Sequence, residues 1–195
     1  PRLVRAVPVP DRPDPDLTGG TIVISGGTGV LGSLVAEHLV TNHHTPRLLL
    51  LSRQGINAPG ATELVQRLEH AGAQVDLAAV DVADPAALAD ALATIPTEHP
   101  LIGVIHTAGV LDDGLIDTWD TQRLTHLWAP KATGAWNLHH LTQHLPLKIF
   151  TVFSSAAGVL GNPGQTGYAA ANAYTDALTH QRTTAGLAGQ SLAWS

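Results

Sequence analysis

The 195-residue chain has no cysteine and no methionine, and only 4% of its side chains are aromatic. Without cysteine, neither a disulfide framework nor a thiolate metal site can form, and a reducing compartment is allowed. The lack of methionine even at position 1 suggests a chain excised from a longer polypeptide, or processed. Ten Lys and Arg stand against 16 Asp and Glu, giving a formal charge of −6. No basic stripe exists to hold nucleic acid. No apolar run approaches the length of a membrane span, and no signal peptide is evident. There is no internal repeat beyond an alternation of strand and helix. Eleven histidines are present. His43 and His44 are adjacent and His140 and His144 stand at i, i+4, but no carboxylate or third histidine completes a ligand motif. Exposed or interfacial histidines are the simpler reading, and no metal site is expected.

What is present is an apolar fraction of 44% in a length that suits one domain with a proper core. Pro1 to Gly20 holds five prolines and several charges, and reads as a linker with a short strand at Leu3 to Val7. Beyond it the chain alternates. Strands are predicted at 21–25, 47–52, 74–80, 101–106, 148–154 and 190–194. Helices are predicted from Ser33, over 61–71, from the Asp84–Pro85 cap to Ala93, over 117–144 with a break at Pro130, and over 163–185. Arg47 to Ser52 is a continuous apolar run, as a buried parallel strand requires. The expected fold is α/β: a doubly wound parallel sheet with right-handed crossovers, Rossmann-like, over residues 21–195.

The organising stretch is Thr21 to Gly32, TIVISGGTGVLG. A strand runs into glycines and then into a helix, which is the arrangement a dinucleotide pyrophosphate needs. The triad Gly26, Gly29, Gly32 alone does not separate a phosphate cradle from a plain strand–helix turn. The other strand ends bear on that choice, because ligands of such sheets sit at the carboxyl ends of the strands. Strand two ends in Ser52-Arg53, where an arginine suits the 2′-phosphate of NADP, or is a surface arginine. Strand three ends in Val80-Asp81-Val82. Asp81 can accept from an adenine amino group, or merely cap its own turn. Strand four ends in His106-Thr107-Ala108-Gly109, small enough for a ring to approach the backbone. The four ends agree with one another. Strand five ends in Ser154-Ser155. Tyr168 lies near a helix start, with Asn172 at i+4 on the same helix face, so both can point into the cleft.

In this order the blocks Gly-Gly-Thr-Gly-Val-Leu-Gly, Leu-Ser-Arg, His-Thr-Ala-Gly-Val-Leu-Asp-Asp, Pro130-Lys131, Ser154 to Gly158 and Tyr168 to Tyr174 resemble short-chain dehydrogenases/reductases. More narrowly, they resemble the ketoreductase domain of modular type I polyketide synthases. Most short-chain reductases carry Tyr-x-x-x-Lys. Here Asn172 takes the lysine's place and Lys131 stands elsewhere, an exchange that marks the synthase ketoreductases. The resemblance implies NADPH-dependent reduction of a β-ketoacyl group, carried by phosphopantetheine on an acyl carrier protein among neighbouring synthase domains. A cytoplasmic location is expected, with no nucleic acid and no membrane.

The implied catalytic residues are Lys131, Ser155, Tyr168 and Asn172. Tyr168 would donate the proton, since a phenol of pKa about 10 is a poor base but a competent acid. Lys131 would stabilise the phenolate, though by itself it could be a solvated helix lysine. Ser155 would hold the carbonyl oxygen, and Asn172 would hold Lys131 or a relay water. The implied cofactor residues are Gly26, Thr28, Gly29, Val30, Leu31, Gly32, Ser52, Arg53, Asp81, Val82, Thr107, Ala108 and Gly109. Leu111-Asp112-Asp113 matches the motif of B-type domains, which give a D-configured hydroxyl, although Asp112-Asp113 could be a solvated acid pair. The tryptophan of A-type domains would fall at Leu160, and Ala170 is not the proline of epimerising B-type domains.

The family's catalytic fold continues past strand six with a lid and a seventh strand, and it has an N-terminal structural subdomain. The expectation is therefore a catalytic part truncated at its C-terminus. Two other readings stand beside this one. A silent NADP-binding or docking domain is disfavoured by the intact Lys131, Ser155, Tyr168 and Asn172. A sugar epimerase or dehydratase is disfavoured by Arg53 and Asn172.

Overall fold

The structure, a computed structural model, describes residues 14–194, so the strand expected at Leu3 to Val7 lies outside the described residues. Six strands form one parallel sheet: β1 (Thr21–Ser25), β2 (Arg47–Ser52), β3 (Gln74–Ala79), β4 (Leu101–His106), β5 (Ile149–Ser155) and β6 (Gln190–Trp194). Their order is β3-β2-β1-β4-β5-β6. The chain winds outward from β1 to β3, then restarts at β4 on the other side of β1. That reversal opens a crevice at the carboxyl ends of β1 and β4, where such sheets bind ligands.

β1 and β4 are buried along their whole length. Successive residues face opposite sides. Ile22, Ile24, Leu48 and Leu50 pack on one face with Ala36 and Leu39 of helix α1 (Val30–His43) and Leu64 and Leu68 of α2 (Ala61–His70). Val23, Leu49, Leu51 and Val104 pack on the other with Leu88 of α3 (Pro85–Ala93) and Leu138 of α5 (Gly134–Thr142). Each such fully buried aliphatic side chain is worth about 1.5–3 kcal/mol relative to exposure. The edge strand β3 is half exposed, and Arg47 secures it by donating to Gln74 and Asp76, each at 2.6 Å. Leu17, inside the stretch read as linker, is 3% exposed in the first of these cores.

Local chemistry sets the helix starts. Asp84 accepts from the amides of Ala86 and Ala87 with Pro85 at the first helical position. Asp120 accepts from the Arg123 amide and opens α4 (Thr121–Trp128), so the helix starts there rather than at Asp117. α7 (Thr166–Thr184) starts after Pro163-Gly164, because Gly164 has φ +78° and cannot continue a right-handed turn. A short helix, α6 (Ala157–Leu160), follows β5. The break expected at Pro130 is a π turn, Ala129–Thr133, joining α4 to α5. Proline cannot donate to the preceding turn, and the wider turn accommodates it.

Candidate active site

Two cavities meet over the carboxyl ends of the strands, sharing Thr107, Gly109 and Val110. The first, of about 550 Å³, is walled by Gly26, Thr28, Gly29, Ser52, Arg53, Asp81, Val82 and Ala108. Its floor is a cradle that side chains would fill. Gly26 has φ +70°, and a Cβ there would come within 2.9 Å of the Ala108 nitrogen. α1 starts at Val30 behind Gly29, which has no side chain to cap it, so the first amides of the helix take no side-chain partner. These features fit a dinucleotide pyrophosphate. Asp81 caps its own turn by accepting from the Ala83 amide at 2.9 Å, which still leaves its carboxylate at the cavity wall.

Three residues expected on this wall lie elsewhere, because α1 starts at Val30, three residues earlier than predicted. Val30 points outward, 79% exposed. Leu31 lines the neighbouring cavity. Gly32 is buried inside the first helical turn, where a Cβ would come 2.2 Å from the Gly26 carbonyl oxygen. Its role is close helix–strand packing. Gln54 and Pro130 line the first cavity and were not anticipated. Gln54 follows Arg53 directly, and Pro130 precedes Lys131, so adjacency was the available signal.

The second cavity, of about 670 Å³, gathers Lys131, Ser155 and Tyr168 with Leu111, Leu160 and Gln165. Lys131 comes from the π turn, Ser155 from the end of β5 and Tyr168 from the first turn of α7. Lys131 is 4% exposed, and its Nζ donates to the Phe153 carbonyl at 2.7 Å. That ammonium lies 5.8 Å from the centroid of the Tyr168 ring. Burial lowers the Lys131 pKa to about 8, against a smaller opposing pull from Asp176. A tyrosine, a hydroxyl and a buried cation on one cavity wall can hold and protonate an oxygen.

Asn172 is not with them. It is fully buried, and its Nδ2 donates to the Tyr168 carbonyl at 2.8 Å, so it does not hold Lys131. Four residues of helix carry it one turn, about 6 Å, along the axis from Tyr168, behind the cavity wall. Its Oδ1 is buried without a partner. Asp112 and Asp113 also stand off the cavity, leaving Leu111 to line it. Gln165, three residues before Tyr168, went unread because nothing in its spacing marks a site. Among the described residues, no group of three His, Cys, Asp or Glu side chains could hold a metal ion, and no helix is long and apolar enough to cross a membrane.

A family model described as KR domain matches residues 20–195. Polyketide synthase GfsB of Streptomyces halstedii is 51% identical over 186 residues, which are 95% of this chain and 3% of that synthase. A solved structure described as A-type ketoreductases from a modular polyketide synthase superposes with a TM-score of 0.90 at 44% identity, covering 98% of this chain and 40% of that one. The first ketoreductase of the tylosin synthase gives a TM-score of 0.84 at 44% identity, over 90% of this chain and 38% of that one. Against the curated synthases, the chain spans 3% to 9% of their length.

Proposed function

The chain belongs to the KR-domain family found in modular polyketide synthases, and on that premise we propose that it reduces a β-ketoacyl thioester to the β-hydroxyacyl thioester with NADPH. The observation that carries this reading is the convergence of Lys131, Ser155 and Tyr168 on one cavity that opens into the glycine-walled one. The nicotinamide cofactor supplies the hydride. The chain's own residues manage the oxygen. The Tyr168 phenol gives its proton to the carbonyl oxygen as charge builds there, while Ser155 Oγ donates a hydrogen bond to the same atom. The Lys131 ammonium, close under the tyrosine ring, stabilises the phenolate left behind. Asn172 contributes by fixing the Tyr168 backbone rather than by touching the lysine.

Arg53 at the end of β2, on the cavity wall, supports NADPH over NADH. The apolar rim supports an acyl chain arriving on phosphopantetheine from an acyl carrier protein of the same cytoplasmic synthase. Leu111, Leu160 and Trp194 line the substrate cavity and remain well exposed. Leu111 on one side and no tryptophan at Leu160 on the other support the D-hydroxyl product, and Ala170 supports no epimerisation of an α-methyl group. The two faces of the ketone correspond to two entry directions, and about 1.4 kcal/mol between those poses changes the product ratio tenfold.

The test is Tyr168→Phe in the full-length protein. Turnover of a short β-ketoacyl thioester should fall about 10²–10⁴-fold, with NADPH binding by fluorescence nearly unchanged. A Phe variant with native turnover refutes the proton-donor role. Chiral chromatography of the native product decides the configuration, and a predominant L-hydroxyl overturns the D assignment alone.

A further inference from the structure

The acidic pair after Leu111 does not face the substrate cavity, and the structure gives both carboxylates other work. Asp112 is gripped through both oxygens by Arg123 of α4: Nε donates to Oδ2 at 2.9 Å and Nη2 to Oδ1 at 2.5 Å. Nη2 also donates to the Asp113 carbonyl at 3.2 Å, and Nη1 donates to the carbonyl and the hydroxyl of Thr118, each at 3.1 Å. All five guanidinium hydrogens are thus committed to one stretch, 112–118. The same guanidinium lies 4.9 Å from the centroid of the Trp119 ring. The loop backbone is pressed onto it, since a Cβ at Gly114 would come 2.9 Å from Arg123 Nη2. Arg123 holds the Asp112 carboxyl below its ordinary range, and the carboxylate in turn raises the arginine.

A second seam joins this loop to the approach to Tyr168. Both oxygens of Asp113 accept from Gln165 Nε2 at 3.2 Å. The Gly114 amide donates to the Gly164 carbonyl at 2.8 Å. Trp119 Nε1 donates to the Gly114 carbonyl at 3.2 Å, and its ring covers Gly167, where a Cβ would come 2.6 Å from the indole. Arg123 touches neither cavity. It anchors the piece of chain that carries Leu111 on one side of the cleft and leans on the start of α7, which carries Tyr168, on the other.

We propose that Arg123 is the positioning residue that sets the product's configuration: it locks the 111–119 loop against the 164–168 segment and so holds Leu111 as a fixed wall of the cleft. This rests on the reading of the cleft as a β-ketone reductase site. The ion pair is part-exposed, so its charge attraction alone would be worth little. The five-fold geometry matters more, and lysine, with three rotatable donors and no planar fork, cannot reproduce it.

The experiment compares native full-length protein with Arg123→Gln, Arg123→Lys and Leu111→Ala. The probe is the acetoacetyl thioester of N-acetylcysteamine, with the hydroxy isomers resolved by chiral chromatography and amide exchange followed by mass spectrometry. Arg123→Gln should speed exchange in 111–119 and 164–168 together and move the isomer ratio toward parity by about tenfold, the change that about 1.4 kcal/mol between poses produces. NADPH binding should stay within about twofold, because Arg123 lies off that cavity. Arg123→Lys, which keeps the charge and the fold, should fall between native and Gln. Leu111→Ala should shift the ratio without the exchange change. Unchanged exchange in both arginine variants, or raised exchange with an unchanged ratio, overturns the role of Arg123. A native protein that makes no hydroxy product overturns the reductase reading, and this role with it.

Discussion

The Nε2 hydrogen of His106 is donated to the backbone carbonyl of Lys131, 2.9 Å away. A carbonyl only accepts, so the bond fixes the tautomer. Nδ1 is then the acceptor of the Ser25 hydroxyl at 2.6 Å. The ring is fully buried between the ends of β1 and β4 and the π turn, and it clamps the backbone of the residue whose ammonium faces Tyr168. Burial first, and the Lys131 charge second, push the His106 pKa down to about 3.

Stability should therefore fall in acid. Between the unfolded value near 6.5 and the folded value of about 3, the unfolded chain binds the proton and the folded chain does not. Stability is lost as pH drops through that window, at about 1.4 kcal/mol per pH unit for one group. His139, buried and accepting from Arg182, has its pKa lowered as well and adds in the same direction. His106→Asn should weaken the protein at pH 7 yet flatten the dependence between pH 6 and 4, read from urea unfolding midpoints. A variant whose midpoints fall as steeply as the native ones would show that His106 is not the titrating group.

Lys131 gives a stability dependence of the same sign, in a window at higher pH. With its folded pKa near 8 against an ordinary 10.5, the unfolded chain holds the extra proton between those values, so stability rises with pH there. Activity should do the reverse, because the neutral amine cannot stabilise a phenolate. In the free protein kcat/KM should decline above about pH 8, and Lys131→Arg, whose charge does not titrate in that range, should remove the decline at some cost in rate. A native profile flat to pH 9.5 would contradict the role.

Much of this architecture is legible in the residues themselves. The runs Ile22-Val23-Ile24 and Leu48 to Leu51 read as buried strands, and the Asp84–Pro85 pair marks the start of α3. The start of α1 is not legible, because Gly29 offers no capping side chain to announce it. Asn172 misleads because a shared helix face does not mean a shared cavity. One turn along α7 the wall has already closed over it. The partnership of Asp112 with Arg123 crosses a loop of irregular backbone, for which no periodicity exists to read.

Arg53 should govern the choice between cofactors. A charge-assisted hydrogen bond contributes about 1.5–3 kcal/mol, so Arg53→Ala should reduce the preference for NADPH over NADH by about tenfold or more. Dissociation constants for both cofactors measured by fluorescence check this. Equal affinities in the native protein would remove the basis for it.

The two later glycines of the triad should separate by assay. Gly32→Ala drives a Cβ into the Gly26 carbonyl at 2.2 Å, and overpacking of this kind costs about 1–3 kcal/mol or more. Gly29 has an ordinary extended backbone, and its nearest such contact is 3.2 Å. Gly29→Ala should thus unfold at nearly the native temperature while binding NADPH weakly, since Gly29 lines the cavity proposed for the cofactor. Similar thermal midpoints for the two variants would refute the distinction.

The π turn at Ala129–Thr133 also sets a limit on how this sequence can change length. A π turn holds roughly one residue more than an α turn, and each residue advances the chain about 100° around the axis. Deleting one residue between Pro130 and Lys131 on the one hand and Gly134 on the other would let α4 and α5 merge into a more regular helix. One π turn and one α turn each carry the chain once around the axis, so α4 and α5 would keep their relative phase, yet the residues of the turn itself, Lys131 among them, would change direction. With α4 held by Leu127 and α5 by Leu138 in their cores, the change would fall on Lys131 and carry its ammonium away from Tyr168. Regular helix and assembled cleft are mutually exclusive outcomes here, so a deletion in this turn should leave helical content by circular dichroism intact while abolishing turnover.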